Sequence, residues 1–127
     1  HPGFYAKMLG EKIRKHQVRV WLINTGWSGG AYGKGERIPL SYTRAIVSAI
    51  LEGGLENCNW KMHPVFHFAM PETCPAVPDT LLNPEFSWKD PTEYQLKAKE
   101  LASRFIENFK KFEDEVPAEI LGGAPEI

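Results

Sequence analysis

Three segments of the chain place apolar residues at the three- and four-residue spacing of amphipathic helices. The first covers residues 4–16, the second follows Pro39 and stops at Gly53, and the third covers residues 90–112. Each has an apolar stripe opposite a polar face, which is typical of a helix that packs against a core. The pattern therefore predicts three main helices.

The third helix has the clearest start signal. Asp90 is a good N-cap, Pro91 suits the first helical position, and Glu93 completes a capping-box pattern. The stripe that follows is wide and rich in phenylalanine, and consists of Tyr94, Ala98, Leu101, Ala102, Phe105, Ile106, Phe109 and Phe112. We expect this stripe to pack on the core.

Two other segments have the composition of strands. Residues 18–25, VRVWLINT, are almost continuously apolar and rich in β-branched side chains, as expected of a central strand buried on both faces. Residues 65–71, VFHFAMP, are short, aromatic and bounded by prolines. The proline-containing stretch from Pro71 to Pro91 predicts an extended connection that lies against the surface. Together these elements predict a mixed α/β fold, with the helices packed on a small mixed sheet.

Size and composition fit one ordinary domain. The 127 residues are 43% hydrophobic and include 15 aromatic side chains. We expect a soluble, cytoplasmic protein, because no segment reaches the roughly 18 apolar residues of a membrane span and no signal peptide is present. Cys58 and Cys74 suit a reduced compartment as free thiols. The chain begins at His1 without an initiator Met, which suggests a piece of a longer protein.

The net charge of −1 conceals an asymmetry between the two halves. Residues 1–63 carry nine Lys and Arg against four Asp and Glu, whereas residues 64–127 carry six against twelve. The overall charge argues against a general nucleic-acid binder. Two interpretations of the basic half stay open: an ordinary solvated surface, or a face toward an anionic group such as phosphate.

A glycine-rich segment, NTGWSGGAYGKGERIP at residues 24–39, separates the first predicted strand from the second helix. It is not a Walker A motif, because the residue after Lys34 is a glycine, and it lacks the dinucleotide-binding fingerprint. Arg37 and Ile38 could enclose a flat ring, and the Thr43 hydroxyl could hydrogen-bond to the ring's edge. The segment fits either a structural loop or a contact with a nucleotide base.

Four residues have the side chains that commonly bind zinc: Cys58, His63, His67 and Cys74. Their spacing, C-x4-H-x3-H-x6-C, matches none of the common structural zinc patterns. Neither cysteine has the surroundings of a catalytic nucleophile. We therefore expect no metal at these residues.

Five blocks of the sequence together resemble a known family. YAKMLGEKI, VWLINTGWSGG, YGKGERIPLSYTRAI, NPEFSW and FIENFKKFE are similar, in that order, to the C-terminal region of ATP-dependent phosphoenolpyruvate carboxykinases. The resemblance covers residues 1–113 and leaves 114–127 as a tail that we expect to fray. It implies that the chain is the C-terminal segment of a larger nucleotide-binding domain.

The resemblance also implies a function. Enzymes of this family are lyases of gluconeogenesis that convert oxaloacetate and ATP reversibly to phosphoenolpyruvate, ADP and carbon dioxide. By this resemblance Arg37, Ile38 and Thr43 contact the adenine side of ATP. The family's phosphate-binding loop, its divalent-metal ligands (for Mg or Mn) and its oxaloacetate-binding arginines lie upstream of the matched region. The segment alone is therefore expected to be inactive, with no catalytic residue, and its partner is the rest of the parent enzyme.

Two other functions remain compatible with the sequence. A stand-alone nucleotide-binding module would have to bind ATP without the phosphate-binding loop. A purely structural subdomain would complete a sheet and cover its core. If the chain is cut from a larger domain, some apolar surface should be exposed or covered by another copy.

Overall fold

The structure is a computed structural model that describes all of residues 1–127. It contains five α-helices, two 3-10 turns and four short strands. In chain order these are α1 Pro2–His16, β1 Trp27–Ser28, β2 Glu36–Arg37, α2 Leu40–Leu51, β3 Trp60–Met62, β4 Ala69–Pro71, α3 Asp79–Leu82, the 3-10 turn Pro84–Ser87, α4 Pro91–Phe109, the 3-10 turn Glu113–Glu115 and α5 Ala118–Leu121. The predicted mixed α/β class is confirmed.

The strands form two separate antiparallel hairpins rather than one small mixed sheet. In the first hairpin Trp27 lies opposite Arg37. In the second, Lys61 lies opposite Met70. Each hairpin has only two strands, and two-stranded hairpins are marginally stable by themselves. Their stability therefore depends on the helices and turns that pack beside them.

Helix α2 and the core beside it follow the sequence pattern closely. The helix ends in a Schellman motif, in which the Gly54 N–H donates to the Ala49 carbonyl (2.7 Å) and Gly53 takes a positive φ of 75°. Ala49, on the predicted stripe, belongs to the core together with Leu55, Cys74 and Val77. The glycine pair therefore ends the helix where the sequence predicts.

Helix α4 begins as predicted, with one exception. The Asp90 side chain accepts a hydrogen bond from the Thr92 N–H (2.8 Å), and Pro91 is the first helical residue. Glu93 does not complete a capping box. Its carboxylate instead pairs with Lys34 of the first hairpin, at 2.5 Å. The Glu93 carboxylate therefore forms a long-range ion pair instead of a local helix cap.

The apolar stripe of α4 is only partly covered. Ala98 and Ala102 are buried, but Leu101 and Phe105 are 46% and 53% exposed. The expectation that the phenylalanine-rich stripe packs on the core is therefore wrong for these larger side chains. Phe105 lies at the border of an open groove, where its ring is nearly perpendicular to that of Phe66 with the centroids 6.3 Å apart.

Residues 18–25 do not form the predicted central strand. Their backbone groups make no hydrogen bond to other backbone groups, and Val20 and Leu22 are 61% and 89% exposed. β-branched, apolar residues favour a strand only when a neighbouring strand accepts their hydrogen bonds. No other segment of these 127 residues lies beside them as such a neighbour.

Two further expectations are corrected between residues 60 and 91. The predicted strand at residues 65–71 is restricted to β4, because residues 64–66 form a turn, and its partner β3 was not predicted. The stretch from Pro71 to Pro91 is not simply extended. It contains α3 and the first 3-10 turn, both of which begin directly after a residue in extended conformation.

The C-terminal tail also differs from the expectation that it frays. It contains the second 3-10 turn and α5, and the Glu126 N–H donates to the Val65 carbonyl (2.9 Å). At its start, Glu115 approaches the His1 ring at 3.1 Å. The tail therefore contacts both the first residue of the chain and the turn before β4.

The predicted exposure of apolar surface is confirmed. Only nine of the 127 residues are buried, and the accessible surface is 9628 Å². A compact protein of 14.4 kDa would expose roughly 6,800 Å², so the chain exposes about 40% more. None of its helices combines the length and apolar character that crossing a bilayer requires.

Candidate functional site

The glycine-rich segment folds into the first hairpin and leads directly into α2. Strands β1 and β2 are joined by residues 29–35, and the Ile38 N–H donates to the Gly26 carbonyl (2.9 Å) to extend the pairing by one step. Within the loop, Trp27 and Tyr32 meet edge to face at 5.2 Å. Pro39 then precedes the first helical residue, Leu40. The hairpin thus fixes where α2 begins.

Two glycines make this hairpin possible. A Cβ on Gly35 would lie 2.5 Å from the carbonyl oxygens of Ser28 and Gly30, so the strands can approach only without a side chain there. Gly29 has a φ of +76°, and a Cβ on it would lie 2.6 Å from the Ser87 carbonyl oxygen. The hairpin therefore packs directly on the first 3-10 turn.

An ion pair contacts the hairpin from a second side. Lys34 extends from the loop to Glu93 in the first turn of α4, with 2.5 Å between the ammonium nitrogen and a carboxylate oxygen. Lys34 is largely solvated and Glu93 is partly exposed, and exposed pairs of this kind contribute about 1 kcal/mol or less. The pair therefore orients the loop more than it stabilises the fold.

The three predicted nucleotide contacts lie at the end of the hairpin and the start of α2. Arg37 is in β2, exposed, and makes no ion pair or hydrogen bond within the chain. The half-buried Thr43 donates its backbone N–H to the Pro39 carbonyl, and its hydroxyl has no partner in the chain. Ile38 is only 8% exposed and belongs to the interior. Arg37 and Thr43 thus offer unoccupied polar groups, whereas Ile38 offers little surface to a ring.

This arrangement can form one side of a binding site. A solvated guanidinium can lie against a flat ring or pair with an anion, and a hydroxyl can donate or accept one hydrogen bond. The clefts beside His63 and beside Lys61 are not lined by Arg37, Ile38 or Thr43. Because Arg37 is exposed and Thr43 only half-buried, the hairpin and helix start form one wall, and further residues would be needed to enclose a ligand.

His63 is the one buried polar residue of the chain, and its hydrogen bonds are fully used. Its Nδ1 accepts from the backbone N–H groups of Val65 and Phe66, both at 3.1 Å. Nε2 therefore carries the proton, which it donates to the Tyr94 hydroxyl at 2.6 Å. Burial lowers the pKa of His63, and His67 adds to this effect while Glu85 opposes it. The ring is held neutral as a structural group.

The other potential metal ligands are not arranged around a common point. Cys58 donates its thiol to the Leu55 carbonyl at 3.1 Å, and burial raises the pKa of the Cys74 thiol. His67 lies 3.6 Å from Glu126 in the tail. No three His, Cys, Asp or Glu side chains are grouped so that they could hold a metal ion. The chain's own donor set therefore does not fit a divalent metal.

An aromatic groove beside His63 was not predicted. Its volume is about 350 Å³, and it is bounded mainly by apolar and aromatic side chains, including Phe66, Phe68, Trp88, Tyr94 and Phe105. The sequence signal was present in the aromatic run near residue 66 and in the α4 stripe. Nothing in the spacing indicated that the two would meet across His63.

Taken together, the fold and the hairpin define the class of the chain. It is a mixed α/β segment with a small core, a surface glycine-rich hairpin that leads into a helix, and wide uncovered apolar areas. Within that class its family is set by sequence similarity. The model of the phosphoenolpyruvate carboxykinase family matches residues 1–80. The chain belongs to this family.

Curated relatives extend the similarity through the remaining residues. A protein named phosphoenolpyruvate carboxykinase (ATP) from Christiangramia forsetii is 51% identical over 125 residues, which is 98% of this chain and 24% of the relative. The protein of the same name from Flavobacterium johnsoniae is 53% identical over 125 residues, 98% of this chain and 23% of the relative. The one from Thermus thermophilus is 51% identical over 125 residues, again 98% and 24%. The chain spans about a quarter of the length of these relatives.

Replacing Gly35 tests the close approach inside the hairpin. Gly35→Ala places a methyl group against three backbone atoms that cannot move independently. We expect the free energy of unfolding to fall by about 1–3 kcal/mol, which is the usual cost of overpacking. The amide of Ile38 should exchange correspondingly faster. The matched control is Gly26→Ala, whose Cβ would be 3.5 Å from Asn24 Oδ1, an ordinary contact. Equal exchange rates in the two variants would contradict the steric argument.

The hydrogen bonds of His63 predict a pH dependence of stability. Its pKa in the folded chain lies below the ordinary value near 6.5. The stability that the neutral His63 ring contributes is therefore fully present above about pH 6.5. It is lost as the pH falls toward and through the lower folded pKa, and the free energy of unfolding decreases by at most about 1.4 kcal/mol per pH unit. Urea unfolding of the native chain and of His63→Gln, which cannot titrate, measures this. The variant should lose less stability on acidification, and parallel pH profiles would refute the assignment.

Proposed function

We propose that the chain is the C-terminal part of an ATP-dependent phosphoenolpyruvate carboxykinase and supplies the adenine side of its ATP site. The observation that carries the proposal is the pair of unpartnered polar groups, Arg37 and Thr43, at the point where the glycine hairpin enters α2. Both lie within residues 1–80, which match the family. Residues 1–113 form the C-terminal part of the nucleotide-binding domain, residues 114–127 are a tail, and the partner of the chain is the rest of the enzyme.

The chemistry of the proposed contact follows from these side chains. The planar Arg37 guanidinium lies against the face of the adenine ring, since it is exposed and has no competing ion pair. The Thr43 hydroxyl, free of any partner in the chain, hydrogen-bonds to a ring nitrogen or the amino group at the ring's edge. Ile38 contributes only the edge of a mostly buried side chain.

In the proposed reaction, oxaloacetate and ATP give phosphoenolpyruvate, ADP and carbon dioxide. Adenine is the end of ATP furthest from the transferred phosphoryl group. Holding this non-reacting end restricts the positions of the reacting end, which helps to align it. Since the chain's own residues do not fit a divalent metal, the metal's ligands are assigned to the rest of the enzyme, and no step of the chemistry is assigned to this chain. The free thiols fit the proposed cytoplasmic location.

A structural role is the second candidate, and the exposed apolar surface favours it. Tyr5 and Leu9 on α1, Leu51 at the end of α2 and Phe105 on α4 are each about half exposed or more. A subdomain that is covered by the rest of a larger protein would have such a surface. This role is compatible with the nucleotide contact, since one face can be covered while another binds ATP.

The nucleotide contact is tested in the full-length enzyme by Arg37→Ala and Thr43→Val. Arg37→Ala removes a ring-face contact and Thr43→Val a neutral hydrogen bond, each worth about 1 kcal/mol. We expect KM for ATP to rise roughly five- to tenfold in each variant, with kcat and KM for oxaloacetate little changed. Steady-state kinetics with each substrate varied separately makes the measurement.

Two further variants sharpen this test. Arg37→Lys should behave like Arg37→Ala, since an ammonium group has no flat face. Arg44→Ala, which removes an exposed arginine of α2 adjacent to Thr43 in sequence, should leave KM for ATP unchanged. Loss of turnover in Arg37→Ala at unaltered ATP affinity would place Arg37 in the chemistry instead.

The 127-residue chain by itself should not bind ATP measurably. Two contacts of about 1 kcal/mol each fall well short of the 4.1 kcal/mol that corresponds to a Kd of about 1 mM. Isothermal titration calorimetry should therefore show no saturable heat at about 1 mM ATP. Micromolar binding would instead indicate a stand-alone nucleotide-binding module.

A further inference from the structure

Residues 18–24 have side chains that alternate between two environments, although they form no strand. The odd-numbered residues contact the rest of the chain. Arg19, although its side chain is 68% exposed, pairs with Glu56 at 2.7 Å, and the Trp21 ring lies 5.7 Å from that of Trp60 and packs against the core. Ile23 is half-buried. This segment is thus fixed along one face.

The even-numbered side chains between residues 18 and 22 are uncovered. Val18, Val20 and Leu22 are 51%, 61% and 89% exposed. An alternation with period two is the geometry of a β-strand. In a strand at a solvated surface the outward residues are polar, whereas here all three are apolar. The outward face therefore has the composition of a face that is buried.

The backbone of the same residues is also unpaired. None of their N–H or C=O groups bonds to another backbone group. Among their side chains only that of Asn24 bonds to backbone: it accepts from the Gly26 N–H at 2.9 Å and donates to the Trp27 carbonyl at 3.0 Å. A row of unpaired backbone groups beside apolar, β-branched side chains is a template for adding a strand. Backbone and side chains therefore indicate the same kind of partner.

We infer that residues 18–24 pair as a β-strand with a strand from the part of the longer protein outside these 127 residues, whose apolar side chains cover Val18, Val20 and Leu22. The inference rests on the proposed function in one respect, that the chain works within the full-length enzyme. The relatives are about four times as long as the chain. They therefore have ample chain to supply the strand.

A second copy of the chain is the competing occupant, and the distribution of apolar surface argues against it. Large exposed side chains also occur on α1, α2 and α4, as with Phe4, Leu51 and Phe105. A dimer that paired residues 18–24 with themselves would cover one edge and leave those elements exposed. The remainder of a protein four times as long can cover all of them.

Hydrogen exchange measured by mass spectrometry tests the inference directly, with the 127-residue chain compared with the full-length enzyme, both without ATP. In the isolated chain the amides of residues 18–24 should exchange at nearly the rate of an unstructured peptide. In the full-length enzyme they should exchange at least about 100-fold more slowly, as paired strand amides do. Rapid exchange in both proteins would overturn the inference. Protection in the isolated chain that grows with its concentration would also overturn it and identify a second copy as the occupant.

A pair of variants tests the apolar cover separately. Leu22→Asp should lower the Tm of the full-length enzyme by several degrees, because it buries a carboxylate among apolar side chains. It should leave the Tm of the isolated chain unchanged, since Leu22 is solvated there. Leu22→Met, which keeps the apolar volume, should change neither. Equal Tm values for Leu22→Asp and Leu22→Met in the full-length enzyme would show that this face is not covered.

These measurements are independent of the nucleotide assignment. Slow exchange at residues 18–24 does not require ATP, and KM for ATP in the Arg37 variants does not depend on strand pairing. If KM for ATP is unchanged in the Arg37 variants while residues 18–24 exchange slowly in the full-length enzyme, only the adenine contact is refuted. If KM for ATP rises as expected while residues 18–24 exchange rapidly, only the inferred strand pairing is refuted.

Discussion

The structure depends above all on the balance between its small core and its large apolar surface. The buried cluster around Ala49 and Leu55 is formed by α2 and the segments that follow it, and it includes no residue of α1. At about 25 cal/mol per Å² of apolar area buried, each uncovered leucine or phenylalanine leaves on the order of 1–2 kcal/mol of stabilisation unused. The chain's helices are thus formed by local sequence, while their positions relative to one another are only weakly fixed from within.

This balance explains which parts of the fold could be predicted. Helices satisfy their own backbone hydrogen bonds, so periodicity and caps were enough to locate α1, α2 and α4 and the stop at Gly53. A strand needs a partner, and the composition of residues 18–25 could not show that these 127 residues contain none. The β3 strand was missed for the opposite reason, since the mixed polar and apolar residues of Trp60–Met62 become a strand only through pairing with β4.

The candidate site was predictable to a similar degree. The glycine-rich segment was predicted to be either a structural loop or a contact with a nucleotide base, and the structure shows close backbone approaches at Gly35 and Gly29. The burial of Ile38 was not predictable, because a residue between a strand and a helix can face either way. The contact of His63 with Tyr94 was hidden as well, since the two lie 31 residues apart. His63 was noticed only as a residue type that can bind zinc, a role that its spacing from the other candidates argued against.

The hairpin connects the proposed nucleotide contact with the strand pairing inferred for residues 18–24. Gly29 fits against the Ser87 carbonyl of the 3-10 turn at Pro84–Ser87, and Lys34 reaches the first turn of α4. The start of α2, which carries Thr43, is therefore positioned by α4 and that turn. Residues 18–25 enter the same hairpin from its other end. A strand that fixes residues 18–25 would therefore also fix the direction in which the chain enters β1. By this route, packing against the rest of a larger protein would hold Arg37 and Thr43 in place before any ligand binds, which lowers the entropy cost of binding.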